Sequence, residues 1–187
     1  MWKMVDRLMI KKLLLTLIIV FLTLGVILNS RKNISPQIKE GKMQLKTVFE
    51  HNGNIPSKYT CDGEDLAPEL TISDVPPNTE ELVLIVDDPD APMGTWVHWV
   101  VYNIPAGTKK IDAKSLPMEA KQGITDFRRI GWGGPCPPSG THRYFFKLYA
   151  IDKKLDLPEG ASKQQVENAI KENIIEKTEI IGLYKRK

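Results

Sequence analysis

The 187-residue chain is long enough for one domain of ordinary size with a buried core, plus a short additional segment. Its formal net charge of +3 comes from the front of the chain: residues 1–32 hold six Lys and Arg against one Asp, whereas residues 33–187 hold 20 basic and 22 acidic side chains. Because the larger part is nearly neutral, the composition argues against a nucleic acid as partner.

The N-terminal segment is typical of a chain directed to a membrane. A basic stretch, residues 1–12, precedes residues 13–28, which carry no charge. Leu28-Asn29-Ser30 offers a large residue where signal peptidase requires a small one, which favours a transmembrane signal anchor at residues 13–30 over a cleaved signal peptide. We expect residues 31–42 to be a linker and residues 43–187 a folded domain. That domain is expected outside the cytoplasm on its single-pass anchor, or secreted if the segment is cleaved.

The folded part is predicted to consist mainly of β-strands. Alternating or continuously apolar sequence predicts strands at residues 43–49, 70–72, 81–86, 95–104, 142–151 and 179–184. Residues 51–68 and 131–140 are predicted loops because glycine and proline recur there, and residues 106–129 a long connection with a helical turn. This order predicts a β-rich sandwich or barrel-like domain with peripheral helices.

One helix is predicted near the C-terminus. Ser162 and Gln165 have the spacing of a capping box. An apolar stripe follows and predicts about three turns of helix. It consists of Val166, Ala169, Ile170 and Ile174.

The two cysteines, Cys61 and Cys136, both lie in predicted loops. Their spacing is not that of a metal site, because there is no CxxC pair. Outside the cytoplasm they could form one disulfide that closes a loop of about 75 residues, which stabilises by a few kcal/mol in the chain-entropy model. Two unpaired thiols are the alternative.

Polar side chains that could take part in binding or catalysis cluster around residues 86–105. Asp88 and Asp90 lie in a short loop between two predicted core strands, and His98 follows on the second strand. By strict alternation His98 shares a face with Trp96, Val100 and Tyr102. On the later strand His142 shares a face with Tyr144. If the two strands are neighbours, both imidazoles can meet the two aspartates in one concavity.

Several interpretations of this cluster stay open. The aspartates could be turn residues and the histidine a core residue. The two carboxylates and two imidazoles could hold zinc or iron, although their spacing matches no known ligand pattern. A histidine could also activate a nucleophile in a hydrolase, although no G-x-S-x-G elbow is present. The candidate nucleophiles would be Ser139, Thr141 and Cys136.

A fourth interpretation is a pocket for an anion. The carboxylates would support protonated imidazoles, whose N–H groups would face a phosphate-like group together with the Tyr144 hydroxyl. Trp96 would supply an aromatic wall. Since an ordinary histidine has a pKa of about 6.5, such binding would be stronger at mildly acid pH.

Three ordered motifs resemble the phosphatidylethanolamine-binding protein family. They are DPDAP (residues 88–92), GTWVHWVVYNIP (residues 94–105) and GGPCPPSGTHRYFFKLYA (residues 133–150). CDG (residues 61–63) and APEL (residues 67–70) are similar to its prokaryotic branch, the Raf kinase inhibitor-like proteins. The resemblance spans about residues 43–184 and leaves the apolar N-terminal segment outside.

The resemblance implies a mainly β fold with a large antiparallel sheet, a smaller second sheet and flanking helices. It also implies a pocket for phosphate, phosphorylethanolamine or a similar anion, without a metal or other cofactor. The implied ligand-binding residues are Asp88, Asp90, Trp96, His98, His142 and Tyr144, with Gly134, Pro135 and Pro137 at the rim. Relatives inhibit kinases or serine proteases, so the resemblance allows a protein target. We therefore expect a ligand-binding module rather than an enzyme, with a metal- or histidine-assisted phosphoester hydrolase as the alternative.

Overall fold

Two β-sheets and one α-helix build residues 42–186, the part of the chain that this computed structural model describes. These residues belong to a single unit, Glu40–Lys187. The strands are β1 (Gln44–Lys46), β2 (Gly53–Asn54), β3 (Leu70–Ser73), β4 (Glu81–Asp88), β5 (Trp96–Pro105), β6 (Lys110–Ile111), β7 (Lys121–Gln122), β8 (His142–Ile151) and β9 (Ile174–Tyr184). The helix α1 is Lys163–Ile170, and a 3₁₀ turn spans Ser57–Tyr59. The mainly β fold with two sheets confirms the expectation from the sequence.

The large sheet has the order β2-β9-β8-β4-β5-β7, and the small sheet the order β1-β3-β6. All pairings are antiparallel except that of β2 with β9. Strand β4 lies near the centre of the large sheet, where every one of its eight residues is buried. A strand covered on both faces favours apolar side chains on both of them, which explains the unbroken apolar run Leu82 to Val86 within β4.

Two hydrophobic clusters cover the two faces of the large sheet. Leu84 and Trp99 point to one side, where they pack with Leu70 and Ile72 of the small sheet. The other face packs against the helix. Its cluster includes Val83, Ile85, Val100, Tyr102, Val166 and Ile170. The domain is therefore a small sheet, a large sheet and a helix in three layers.

A β-bulge in β5 sets the direction of His98. Val86 pairs with Trp99 and Asp87 with Val97, so His98 is an extra residue without a pairing partner in β4. His98 consequently lies on the same side of the sheet as Trp99, and Val100 lies on the opposite side. The prediction that His98 shares its face with Val100 and Tyr102 was wrong, because strict alternation fails at a bulge.

Several predicted elements differ from the structure in extent. The strand expected at residues 43–49 covers only Gln44–Lys46, and the loop at residues 51–68 includes β2 and the 3₁₀ turn. The connection at residues 106–129 contains the two-residue strands β6 and β7 where a helical turn was expected. The strand predicted at residues 142–151 is confirmed.

The C-terminal helix is shorter than predicted. Ser162 accepts a hydrogen bond from the Gln165 backbone N–H, and the Gln165 side chain accepts one from Ser162, so the capping box is confirmed. The helix ends at Ile170, however, and Ile174 begins β9 with 41% of its surface exposed. Ile174 was therefore wrongly assigned to the helical stripe: β8 offers a pairing partner, Ile151, that continues the sheet.

The predicted basic segment, signal anchor and most of the linker, residues 1–41, lie outside the described residues. Among residues 42–186 no helix is long and apolar enough to span a membrane.

Candidate functional site

A cavity of about 320 Å³ opens at one end of the large sheet, where β4 ends and where β5 and β8 begin. Its polar lining consists of Asp88, His98, His142 and Tyr144. Its other lining residues are Ala91, Pro92, Met93, Trp96, Phe127, Cys136, Pro137 and Pro138. The volume is at the lower end of the range for small-molecule sites.

Asp88 and His142 form a buried pair in the lining of this cavity. The Nδ1 atom of His142 lies 2.7 Å from Oδ2 of Asp88, and both side chains are less than a tenth exposed. The second oxygen of Asp88 accepts the backbone N–H of Asp90 at 2.8 Å. Because Nδ1 of His142 donates to the carboxylate, its Nε2 is the nitrogen left for a ligand.

His98 is held by the backbone of the loop that follows β7. Its Nδ1 donates to the carbonyl oxygen of Gly133 at 2.5 Å, which leaves Nε2 as the acceptor of a neutral ring. Burial lowers the pKa of His98, and the Gly133 contact opposes this only in part. We expected both imidazoles to be protonated in an anion pocket; His98 is instead a neutral acceptor at neutral pH.

Tyr144 presents a buried hydroxyl without a hydrogen-bond partner among residues 42–186. The residue is 1% exposed, lines the cavity, and its ring lies edge-on to His98 with 5.1 Å between centroids. Burial raises its pKa, and the negative charges of Asp88 and Asp90 raise it further. The hydroxyl is therefore a neutral O–H donor at any working pH.

Two aromatic side chains form one wall of the cavity. The rings of Trp96 and Phe127 meet edge to face, with centroids 5.6 Å apart, and the Phe127 ring also contacts His98. Gly133 packs directly on this ring: a Cβ atom at Gly133 would lie 2.3 Å from two Phe127 ring carbons. Phe127 lies in the long connection, where no periodic pattern marks it, and it is not among the site residues predicted from the sequence.

Asp90 does not face the cavity. Its carboxylate accepts two hydrogen bonds from the Arg143 guanidinium, at 2.7 and 2.9 Å, and one from the Arg143 backbone N–H. These contacts lower the pKa of Asp90. Contrary to the expectation that both aspartates support imidazoles, the structure pairs Asp90 with an arginine next to His142.

Gly134 and Pro135 attach the rim to the loop around residue 61 and are not part of the described lining. The Gly134 N–H donates to Asp65 at 2.7 Å, and Cys61 N–H donates to the Pro135 carbonyl at 3.1 Å. Cys61 and Cys136 are joined in a disulfide with 5.4 Å between their Cα atoms. Only Pro137 of the three predicted rim residues lines the cavity itself.

The site residues meet although their strands are not neighbours. Strand β4 lies between β5 and β8, so the assumed pairing of the two histidine strands was wrong. His98 and Tyr144 come together because the bulge places His98 on the face of the sheet that carries Tyr144. No local sequence pattern marks this bulge.

The geometry weakens the metal and hydrolase interpretations. Among residues 42–186 no group of three His, Cys, Asp or Glu side chains is arranged to hold a metal ion. Of the candidate nucleophiles, Cys136 is in the disulfide, and Ser139 and Thr141 are exposed without a hydrogen bond to a described histidine.

The family model of the phosphatidylethanolamine-binding protein matches residues 45–185, which is most of the chain. The chain belongs to this family. Its Methanothermobacter thermautotrophicus relative, a UPF0098 protein, is 49% identical over 150 residues, covering 77% of this chain and 99% of the relative. A UPF0098 protein of Pyrococcus horikoshii is 48% identical over 158 residues, covering 79% of this chain and 80% of the relative.

Two solved structures of the family share the fold. The Chlamydia trachomatis protein CT736, described as a phosphatidylethanolamine-binding protein homologue, has a TM-score of 0.74 at 39% identity and covers 78% of this chain and 99% of its own. Escherichia coli YbcL, described as a new member of the mammalian family, has a TM-score of 0.74 at 32% identity and covers 79% of this chain and 100% of its own. Both likenesses support the prokaryotic branch that the motifs indicated.

Proposed function

We propose that the cavity binds a small phosphate-type oxyanion, with His142 and Tyr144 as donors and His98 as an acceptor. The observation that carries the proposal is the buried Tyr144 hydroxyl, which has no partner among the described residues and belongs to a residue that lines the cavity. A buried polar group without a hydrogen bond costs about 1–3 kcal/mol. A ligand oxygen would offset that cost.

The Asp88–His142 pair supports an anion through charge. A protonated His142 would donate through Nε2, and Asp88 would hold the ring in place through Nδ1. In this arrangement the Asp88 carboxylate does not contact the anion itself. It acts on the ligand only through the His142 imidazole.

The neutral His98 adds selectivity for a protonated ligand. Its Nε2 can accept a hydrogen bond but cannot donate one while Nδ1 is bonded to Gly133. A phosphate or phosphate monoester that retains a P–O–H group can satisfy this acceptor, whereas sulfate has no proton to offer at neutral pH.

Calorimetric titration with inorganic phosphate, phosphorylethanolamine and sulfate at pH 6 and pH 8 tests the proposal. We expect phosphate to bind more tightly at pH 6, and more tightly than sulfate. His142→Asn removes the positive donor and should weaken phosphate binding at least about tenfold. Lys171→Gln removes an exposed charge outside the cavity and serves as the control. The absence of phosphate binding by the unaltered protein would rule out the proposal.

We also propose that residues 13–30 anchor the domain outside the cytoplasm. The apolar N-terminal run and the disulfide, which is stable in oxidising compartments, support this location. Protease treatment of intact cells should degrade the domain, and full protection would refute the location. Inhibition of a kinase or serine protease stays a prediction from the family and requires its own assay.

A further inference from the structure

We propose that the cavity prefers phosphate monoesters with a small, uncharged, apolar ester group over those with an aminoalkyl group, and that Phe127 sets this preference. The inference rests on the proposed oxyanion site and extends it to the rest of the ligand. It concerns the part of the cavity that an oxyanion leaves unfilled.

The cavity is larger than an inorganic oxyanion requires. One water fills about 30 Å³ of liquid, so the five heavy atoms of phosphate occupy less than about half of the 320 Å³ cavity. The polar groups Asp88, His98, His142 and Tyr144 account for the anion. The remaining walls are apolar, with Trp96, Phe127 and Pro137 among them. An apolar substituent would replace water along these walls.

An ammonium group would find no unpaired carboxylate in the described lining. Asp88, the acidic residue there, has its oxygens bonded to His142 and to the backbone of Asp90. The Asp90 carboxylate is itself held by Arg143. An ammonium inside the cavity would therefore have to share the Asp88 carboxylate with His142 and the Asp90 backbone.

The aromatic wall offers an ammonium little in return. The guanidinium carbon of Arg129 lies 5.7 Å from the Phe127 ring centroid, so that ring already has a cation over it. Trp96 is the aromatic face that could still attract a cation, and this attraction is the effect that opposes the proposal.

The position of Phe127 is fixed by its loop. Asp126 accepts the Val97 backbone N–H through its side chain at 2.7 Å and donates its own N–H to the Val97 carbonyl at 3.2 Å. Thr125 N–H donates to the Arg129 carbonyl, which closes the turn that carries the ring. The wall is thus formed before a ligand arrives, which is what discrimination between ligands of similar shape requires.

Propyl phosphate and phosphorylethanolamine make a matched pair of probes, because they differ only by a methyl in place of the ammonium. At pH 6 we expect propyl phosphate to have the lower Kd by at least about fourfold, the effect of burying one further methyl-sized group. Equal or tighter binding of phosphorylethanolamine would overturn the preference and leave the oxyanion site standing. If neither ester nor inorganic phosphate binds, the proposed function itself has failed.

Variants of Phe127 test its role. Phe127→Ala should reduce the ratio of the two Kd values to less than about twofold, while Phe127→Leu, which keeps apolar volume, should retain most of it. Phe145→Ala is the control, since Phe145 is also half-buried with an arginine near its ring but lies outside the cavity lining. An unchanged ratio in a folded Phe127→Ala protein would refute the role of Phe127. The ratio of the two Kd values in the unaltered protein tests the preference by itself. A variant that fails to fold would therefore leave that test in place.

Discussion

Replacing Tyr144 with Phe should make the free domain more stable and its ligand binding weaker. The substitution removes one oxygen and keeps the ring that packs against His98. In the free protein that oxygen is buried without a partner among the described residues. In the proposed complex it donates to the anion. The Tyr144 hydroxyl oxygen is thus expected to destabilise the free domain and to strengthen ligand binding.

The magnitudes follow from the burial of this hydroxyl. Removing an unpaired buried hydroxyl relieves about 1 kcal/mol or more of desolvation cost, which corresponds to a rise in Tm of about 3 °C for a domain of this size. A hydrogen bond to a charged ligand contributes about 1.5–3 kcal/mol, so the Kd for phosphate should rise by roughly 10- to 150-fold.

Two assays on the same protein check this prediction. Urea unfolding gives the change in stability, and calorimetry with phosphate at pH 6 gives the change in Kd. Tyr149→Phe is the matched control, because Tyr149 lies on the same strand but in the cluster on the opposite face of the sheet. A Tyr144→Phe protein that loses stability would show that the hydroxyl is satisfied in the free state. One that gains stability and binds phosphate normally would remove Tyr144 from the site.

Three further predictions follow from the same geometry. Asp88→Asn removes the carboxylate that accepts the His142 Nδ1–H and orients the ring, so phosphate affinity at pH 6 should fall about tenfold; a calorimetric Kd equal to that of the unaltered protein would contradict this. Replacing Cys61 and Cys136 together by Ser should cost about 4 kcal/mol in urea unfolding, from the chain entropy of a 75-residue loop, and a loss below 1 kcal/mol would contradict that model. Because burial lowers the pKa of His98, the unfolded chain binds a proton more readily, and stability should decline as pH falls below about 6.5. His98→Asn should flatten this decline in urea midpoints between pH 7 and pH 5, and an equally steep decline would show that other groups cause it.

The strands that the sequence predicted are those whose own side chains form a local pattern typical of a strand. Residues 142–151 are rich in aromatic and aliphatic side chains, and the structure has a strand at those residues. The run at residues 81–86 is continuously apolar, and it is the buried β4. The capping box marked the helix start for the same reason: its hydrogen bonds are local. The helix end was missed because Ile174 is apolar at a helical spacing, whereas pairing with β8 decides its conformation.

The site was predicted in composition but not in geometry. Asp88, Trp96, His98, His142 and Tyr144 do line one cavity. The bulge at His98 and the insertion of β4 between the histidine strands depend on long-range pairing, which no local pattern records. Asp90 and Phe127 show the same limit. One is removed from the cavity by an arginine, and the other is brought to it by a loop without periodicity.

The Cys61–Cys136 bond closes a covalent ring that contains β3, β4 and β5 but not β8. The turn after β6 lies within this ring, and Met118 in it is 95% exposed, which makes it a natural point of proteolytic cleavage. A chain cut there would run as one species on a non-reducing gel and as two after reduction. The N-terminal fragment would carry Asp88 and the C-terminal fragment His142. An oxidised, nicked protein therefore keeps both halves of its cavity on one molecule.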